Sequence, residues 1–235
     1  MASFPSFSYL VDDELWLVME YMDGGTLSDA INEMYISEYE MAAISRECLQ
    51  GLDFLHSNYV IHRDVKSYNI LLRTDGSVKL ADFGISAQLT PEQNRRSSVV
   101  GTSWWMAPEV VERSTIWPQS GHMVSWNCGK SKWWNDKFLT AMKVLPSAEL
   151  LIATGGTPQL QQPNLFSALL RHFLSCCLQK NEEQRWSAKE LLQHPFVTSA
   201  KPASVLLPLI QSVKKWKEEE KRWRCQSIHS GLFSS

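Results

Sequence analysis

Three short blocks in a fixed order constrain this chain more than any other feature. The first is His62-Arg63-Asp64-Val65-Lys66-Ser67-Tyr68-Asn69. Eighteen residues after Asp64 comes Asp82-Phe83-Gly84, and 27 after Asp82 comes Glu109, closing Ala107-Pro108-Glu109. The first two blocks follow short apolar runs, Tyr59 to Ile61 and Val78 to Leu80, so each is expected on a loop at the end of a strand. Loops held by a rigid scaffold are where chemistry is usually carried. Thr74-Asp75-Gly76-Ser77 predicts a hairpin turn between Ile70 to Leu72 and Val78 to Leu80. Upstream, residues 7–10 and 15–20 predict a strand pair turned at Asp12-Asp13. Residues 38–57 carry apolar positions at helical spacing: Met41, Ile44, Cys48, Leu49, Leu52 and Leu55. Helical patterning returns at 148–153, 165–178 and 187–193, while 84–109 predicts a long loop. A last amphipathic run, Val205 to Trp223, ends in KKWKEEEKRWR, six basic and three acidic groups, and predicts a solvated helix face.

Composition narrows the function classes. A chain of 235 residues can bury a substantial core as one domain or a small two-lobed unit. A net charge of -2 argues against nucleic-acid binding by bulk charge. Apolar runs fall far short of the roughly 20 residues that span a bilayer. Met1 to Leu10 lacks the basic start and apolar stretch of a secretory signal. The five cysteines form an odd set without a C-x-x-C pair. They predict reduced thiols and a cytoplasmic location, with neither a disulfide frame nor a zinc site.

In this order, the three blocks resemble the protein-kinase set H-R-D-x-x-x-x-N, D-F-G, A-P-E. The resemblance implies an α+β, kinase-like fold with a mostly helical large lobe. Phosphoryl transfer needs an aligned hydroxyl and a neutralised triphosphate more than covalent chemistry. By that likeness Asp64 accepts or orients the proton of an attacking Ser/Thr hydroxyl, and Lys66 reaches the transferring phosphate. Asn69 and Asp82 offer oxygens to Mg²⁺, a hard cation that prefers them. Arg63, beside Asp64, suggests control by phosphorylation, because a guanidinium pairs bidentately with phosphate. The candidate phosphosite is Ser98, with Ser97 the runner-up and an ordinary polar loop the alternative. Arg185 either pairs with Glu109 or stands on the surface.

The likeness is closer still to one branch. LVMEYMDGGTL, FLHSNYVIHRDVKSYNILL, DGSVKLADFGISAQLTPEQNRRSSVVGT, LIATGGTPQLQQP and SAKELLQHPF resemble the p21-activated kinase family, over about residues 7–115 and 148–210. This implies ATP and Mg²⁺ as cofactors and protein Ser/Thr as acceptor, in signalling controlled by small GTPases. It also implies Met19 as gatekeeper, Glu20 and Met22 as hinge residues bonding adenine through their backbone, and Leu71 as the floor under the base.

Two departures stand out. Among the eleven glycines there is no G-x-G-x-x-G, and no lysine or glutamate ahead of residues 7–20 fits the phosphate clamp of such kinases. The β-rich small lobe is therefore expected as a two-stranded remnant, marginal by itself. Second, the segment after Glu109, where the family carries a buried helix with Asp-x-Trp-Ser-x-Gly, reads WPQSGHMVSWNCGKSKWWNDKF. Four of the ten tryptophans fall within 18 residues there. One codon spelling of residues 117–128, read one base on, gives Gly-Pro-Lys-Val-Asp-Ile-Trp-Ser-Leu-Gly-Ile. A spelling of 131–145, read two bases on, gives Gln-Met-Val-Glu-Arg-Gln-Val-Pro-Tyr-Cys-Asn-Glu-Ser-Pro. Both are family-like, so residues 117 to about 147 are expected to be translated out of frame, the alternative being a divergent loop. Smaller departures are Ser103-Trp104 for Pro-Tyr, Tyr68 for an acidic residue and Trp186 for a small one.

The expected organisation is residual small-lobe strands and hinge over 1–22, a large lobe over 23–200 with the anomalous segment at 117–147, and a helical basic tail over 201–235. Three readings remain open on the sequence: a Ser/Thr kinase impaired in its phosphate grip, a pseudokinase or interaction module working with a kinase-type partner, and the non-folding product of a decayed gene copy.

Overall fold

The computed structural model describes residues 7–90, 101–102, 106–111 and 163–231. Ser97, Ser98, Ser103, Trp104, the segment 117–147 and the helix expected at 148–153 lie outside them.

The chain opens as a hairpin of β1 (Phe7–Val11) and β2 (Glu14–Val18), paired antiparallel with Phe7 opposite Val18 and Leu10 opposite Leu15. Its turn residues Asp12 and Asp13 have φ of 46° and 66°, the left-handed pair that a two-residue hairpin turn requires. Every position of both strands is exposed. The second strand ends at Val18, two residues before the end of the run 15–20.

Two helices follow, each started by a capping box. At α1 (Leu27–Glu33) the Thr26 hydroxyl accepts from the Asp29 amide at 3.1 Å, and the Asp29 carboxylate accepts from the Thr26 amide at 2.7 Å. At α2 (Glu38–Ser57) Ser37 and Glu40 do the same. The apolar spacing of α2 lays Ile44, Cys48, Leu49, Leu52 and Leu55 into the core, each at most 1% exposed.

Two small ribbons then frame the motif loops. β3 (Val60–Ile61) pairs with β6 (Ala87–Gln88), and β4 (Ile70–Leu72) pairs with β5 (Val78–Leu80). Gly76, at φ 91°, closes the β4–β5 turn. The stretch 84–109, expected as a plain loop, thus contributes β6 and the start of α3 (Pro108–Val111). Val110 of α3 and the preceding Met106 and Ala107 join Ile61 and Leu89 in a small second core. The remainder is α4 (Ala168–Cys177), α5 (Ala188–Leu191), α6 (Pro195–Thr198) and α7 (Leu207–Gly231).

The tail corrects one expectation. The start of the run Val205 to Trp223 is no solvated face: Leu206, just before α7, and Leu209, Ile210 and Val213 within it belong to the main core. Lys214 meets Asp23 at 2.8 Å, and Lys217 pairs with Asp29. The contact is close enough that a Cβ on Gly24 would lie 2.6 Å from Ile210 and 2.8 Å from the Leu72 carbonyl. The charge run dominates the sequence signal but starts only after this buried stretch ends.

A buried ion pair joins distant segments. Arg185 donates to Glu109 through both terminal nitrogens, at 2.6 and 2.9 Å, and its Nε donates to the Gln179 carbonyl at 2.9 Å. Both side chains are buried. Removing one partner strands the other charge, so Arg185→Met is expected to cost about 3–5 kcal/mol in urea unfolding. Adding Glu109→Leu should recover part of that. A single-mutant cost below about 1 kcal/mol would show that the pair carries no weight.

Burial, aided by nearby His62, pushes the His56 imidazole down to about 4, against 6.5 when free. Between those values the unfolded chain takes up a proton that the folded chain refuses. Stability is therefore lost as pH falls from about 6.5 toward 4. In denaturation series at pH 7.5, 6 and 5, His56→Gln should flatten the decline; an unchanged slope would remove His56 as its source.

Candidate active site

The motif loop 62–69 leaves β3 and returns as β4. His62 is fully buried and fixes its start. Its Nε2 lies 3.0 Å from the Ala81 carbonyl, and its Nδ1 accepts from the Asp64 amide at 3.3 Å, so the ring is protonated on Nε2. Burial pushes this imidazole below its ordinary value, against the pull of the Ala81 carbonyl. The ring also packs on Phe83, centroids 4.8 Å apart, which links the first block to the second.

Asp64 is held on both carboxylate oxygens. Oδ2 accepts from Lys66 Nζ at 2.6 Å and from Asn69 Nδ2 at 3.0 Å; Oδ1 accepts from Thr102 Oγ1 at 2.7 Å. Lys66 also donates to Thr102 at 2.9 Å, closing a three-membered network. Burial pushes the Asp64 carboxyl up, but the bonds from Lys66, Thr102 and Asn69 outweigh it and hold the group below the usual carboxylate range. Asp64 is thus an oriented anion.

Asn69 spends its amide nitrogen on Asp64, donating to the carbonyl at 2.9 Å as well as to the carboxylate. Its backbone carbonyl accepts from the Ala81 amide at 2.8 Å, which brings Asp82 next to it. Asp82 is exposed and stands at φ 64°, its carboxylate accepting from the Gly84 amide at 3.3 Å. With the nitrogen so engaged, the Asn69 side-chain oxygen and the Asp82 carboxylate are two hard oxygen donors on neighbouring segments. They suit Mg²⁺.

Arg63 also has a positive φ, 68°. Its guanidinium donates to the Ile85 and Ser86 carbonyls and so ties the motif loop to the segment after Gly84. Its own carbonyl lies where a Cβ on Gly101 would approach to 2.7 Å, and Gly101 sits at φ 129°, so that position needs glycine. Glu109 and Arg185 meet each other away from this network. Ser98 lies outside the described residues.

Of the residues implied for adenine, Leu71 lies in β4 and Glu20 reaches the β4–β5 ribbon. The Gly24 amide donates to the Leu72 carbonyl at 2.9 Å, and Thr26 bridges Leu71. Met22 is buried, Leu71 half-buried and Met19 exposed. The Glu20 carboxylate is drawn to Lys79 and Arg73, which pins the segment to the β4–β5 ribbon.

One member of the network went unnoticed in the sequence. Thr102 stands 38 positions from Asp64, and no local spacing marks it. Only the fold, pressing Gly101 onto Arg63, brings its hydroxyl to the carboxylate.

A protein kinase domain model matches residues 5–197. The serine/threonine-protein kinase PAK 1 of Mus musculus is 53% identical over 214 residues, 88% of this chain and 38% of that protein. The pak-1 kinase of Caenorhabditis elegans is 46% identical over 88% of this chain and 36% of its own length. The kinase STE20 of Yarrowia lipolytica is 41% identical over 93% and 19%. The chain therefore spans less than two-fifths of these relatives. The ordered motifs, the ion-held Asp64 and these matches lead to one assignment: the chain belongs to the protein kinase family, in its p21-activated serine/threonine branch.

Proposed function

We propose that this chain transfers the γ-phosphate of ATP to Ser or Thr hydroxyls of proteins, with Asp64 orienting the acceptor. The observation that supports this reading is the Asp64 carboxylate, ionised and held on both oxygens by Lys66, Asn69 and Thr102. A substrate hydroxyl would donate to the remaining lone pairs of that carboxylate. Lys66, already beside Asp64, would pass to the transferring phosphate and offset its charge. Asn69 and Asp82 would hold Mg²⁺, which supplies charge neutralisation at the phosphates when bound. Met19, Glu20, Met22 and Leu71 would frame adenine. Arg63 and Ser98 would form the regulatory pair, a phosphate on Ser98 competing with the Ile85 and Ser86 carbonyls for the guanidinium.

Protein substrates in a signalling context and a cytoplasmic location belong to the same proposal. Among the described residues no helix is long and apolar enough to cross a membrane. Cys48, Cys176 and Cys177 are free thiols. A second reading, a binding module of kinase descent, draws on the sequence: these 235 residues hold no G-x-G-x-x-G. The electrostatic grip on the phosphates would then be weak, and transfer by this polypeptide alone slow.

The test is phosphate transfer from labelled ATP to a mixed Ser/Thr peptide set, with the full chain and Asp64→Asn side by side. The substitution should lower transfer by about 10²–10⁴-fold. MgATP at 100-fold its Kd should raise stability by about 2.7 kcal/mol. Equal transfer by both proteins would overturn the role of Asp64. A cooperative melt that MgATP does not move would favour the binding module.

A further inference from the structure

Far from the motif loops, three ligating side chains converge. His172 and Cys176 stand four residues apart on one face of α4, and His194 caps α6 beside them. The nearest nitrogens of the two rings, His172 Nδ1 and His194 Nε2, are 2.8 Å apart. Cys176 Sγ lies 3.9 Å from His172 Nδ1, and the three ligand atoms all fall within 4.8 Å of one another. The ring planes differ by 21° with centroids 5.0 Å apart, so the nitrogens meet nearly edge to edge. Because His194 Nδ1 accepts from the Phe196 amide, His194 Nε2 carries the proton and donates it to the His172 Nδ1 lone pair. His172 is exposed and gives a way in from solvent, while Cys176 and His194 are buried. Trp186 stands edge-on to both rings, at 6.3 and 5.8 Å, walling one side.

We propose that His172, Cys176 and His194 form a binding site for one zinc-class divalent ion. Two imidazoles and a thiolate are the borderline-soft donors that Zn²⁺ prefers, and a water would complete the tetrahedron. A tetrahedral ion would part the two nitrogens to roughly 3.4 Å and draw the sulfur to roughly 3.5 Å from each, so the ligand atoms shift by about half an ångström to one ångström. Binding is chemically balanced. The ion replaces the bridging proton, which passes to His194 Nδ1, and the Cys176 thiol loses its proton to solvent. His194 Nδ1 then gives up the bond it now accepts from the Phe196 amide at 3.1 Å, exchanging a helix cap for a metal bond. His172 keeps its proton on Nε2. The site is invisible to cysteine-pair spacing, because its ligands come from two elements 18 residues apart in sequence.

The test uses the full chain and the metal alone. Titration with Co²⁺ should give one equivalent bound, a thiolate-to-metal band in the near ultraviolet and the visible bands of tetrahedral cobalt. Zn²⁺ should displace it. Cys176→Ser should abolish the thiolate band, while Cys177→Ser should keep it. His172→Asn, at an exposed position where the amide oxygen can still accept from His194, should keep a cooperative melt without metal, yet bind Zn²⁺ about tenfold or more weakly, since even outer-shell changes cost that much. Absence of the band in the parent, its survival in Cys176→Ser, or parental Zn²⁺ affinity in His172→Asn would each overturn the proposal.

Discussion

The motif loops hang from β-ribbons too short to stand alone. Strands of two and three residues make a handful of ladder bonds, and even a longer two-stranded ribbon is marginal in water. What holds them is α2. Its buried face meets Leu72, Val78 and Leu80 in one core, and each of these is at most 2% exposed. The apolar side of the ribbon is therefore fixed, and its loops are left to carry polar groups. The position of Asp64 is in this sense a consequence of α2, 20 residues long and capped by Ser37 and Glu40, being a helix that cannot slide.

Much of this was legible. The period of Met41 to Leu55 marked α2, and the turn residues Asp12, Asp13 and Gly76 marked two hairpins, because both signals are local. The blocks around Asp64, Asp82 and Glu109 could be read because family resemblance supplied the long-range information that periodicity lacks. What could not be read was contact between segments distant in sequence. Thr102 reaches Asp64 only through the fold. The docking of α7 was hidden because four buried residues precede a run of charge. Whether Arg185 stood on the surface or met Glu109 was undecidable from sequence, since nothing near Arg185 names a partner 76 positions away.

The charged half of α7 shows how a nominally solvated run contributes to the fold. Lys214 and Lys217 face Asp23 and Asp29, at the junction between the hairpin and α1. These pairs are partly exposed and individually weak. Their effect is to orient a helix whose first turns are already held by Ile210 and Val213. Asp29 caps α1 and accepts from Lys217, so cap and strap share one carboxylate. Gly24, lacking a Cβ, leaves room for the Ile210 side chain and for the Leu72 carbonyl.

Two strained residues sit in these motif loops. Arg63 and Asp82 both adopt positive φ without being glycine, at a cost of about 1–3 kcal/mol each. Such conformations persist only where the surroundings over-determine them. Here the surroundings are identifiable: His62 binds the Asp64 amide just after Arg63 and the Ala81 carbonyl just before Asp82, and the Arg63 guanidinium holds the Ile85 and Ser86 carbonyls past Asp82. Each strained residue is thus clamped by groups from the other's loop. Relaxing one would release the other, which couples the placement of Asp64 to that of Asp82. Under the proposed function, in which Asp64 would orient a hydroxyl and Asp82 would hold a cation, that coupling would keep the two at one separation. It explains in physical terms why His62, Arg63 and Asp82 form one unit rather than two neighbouring motifs.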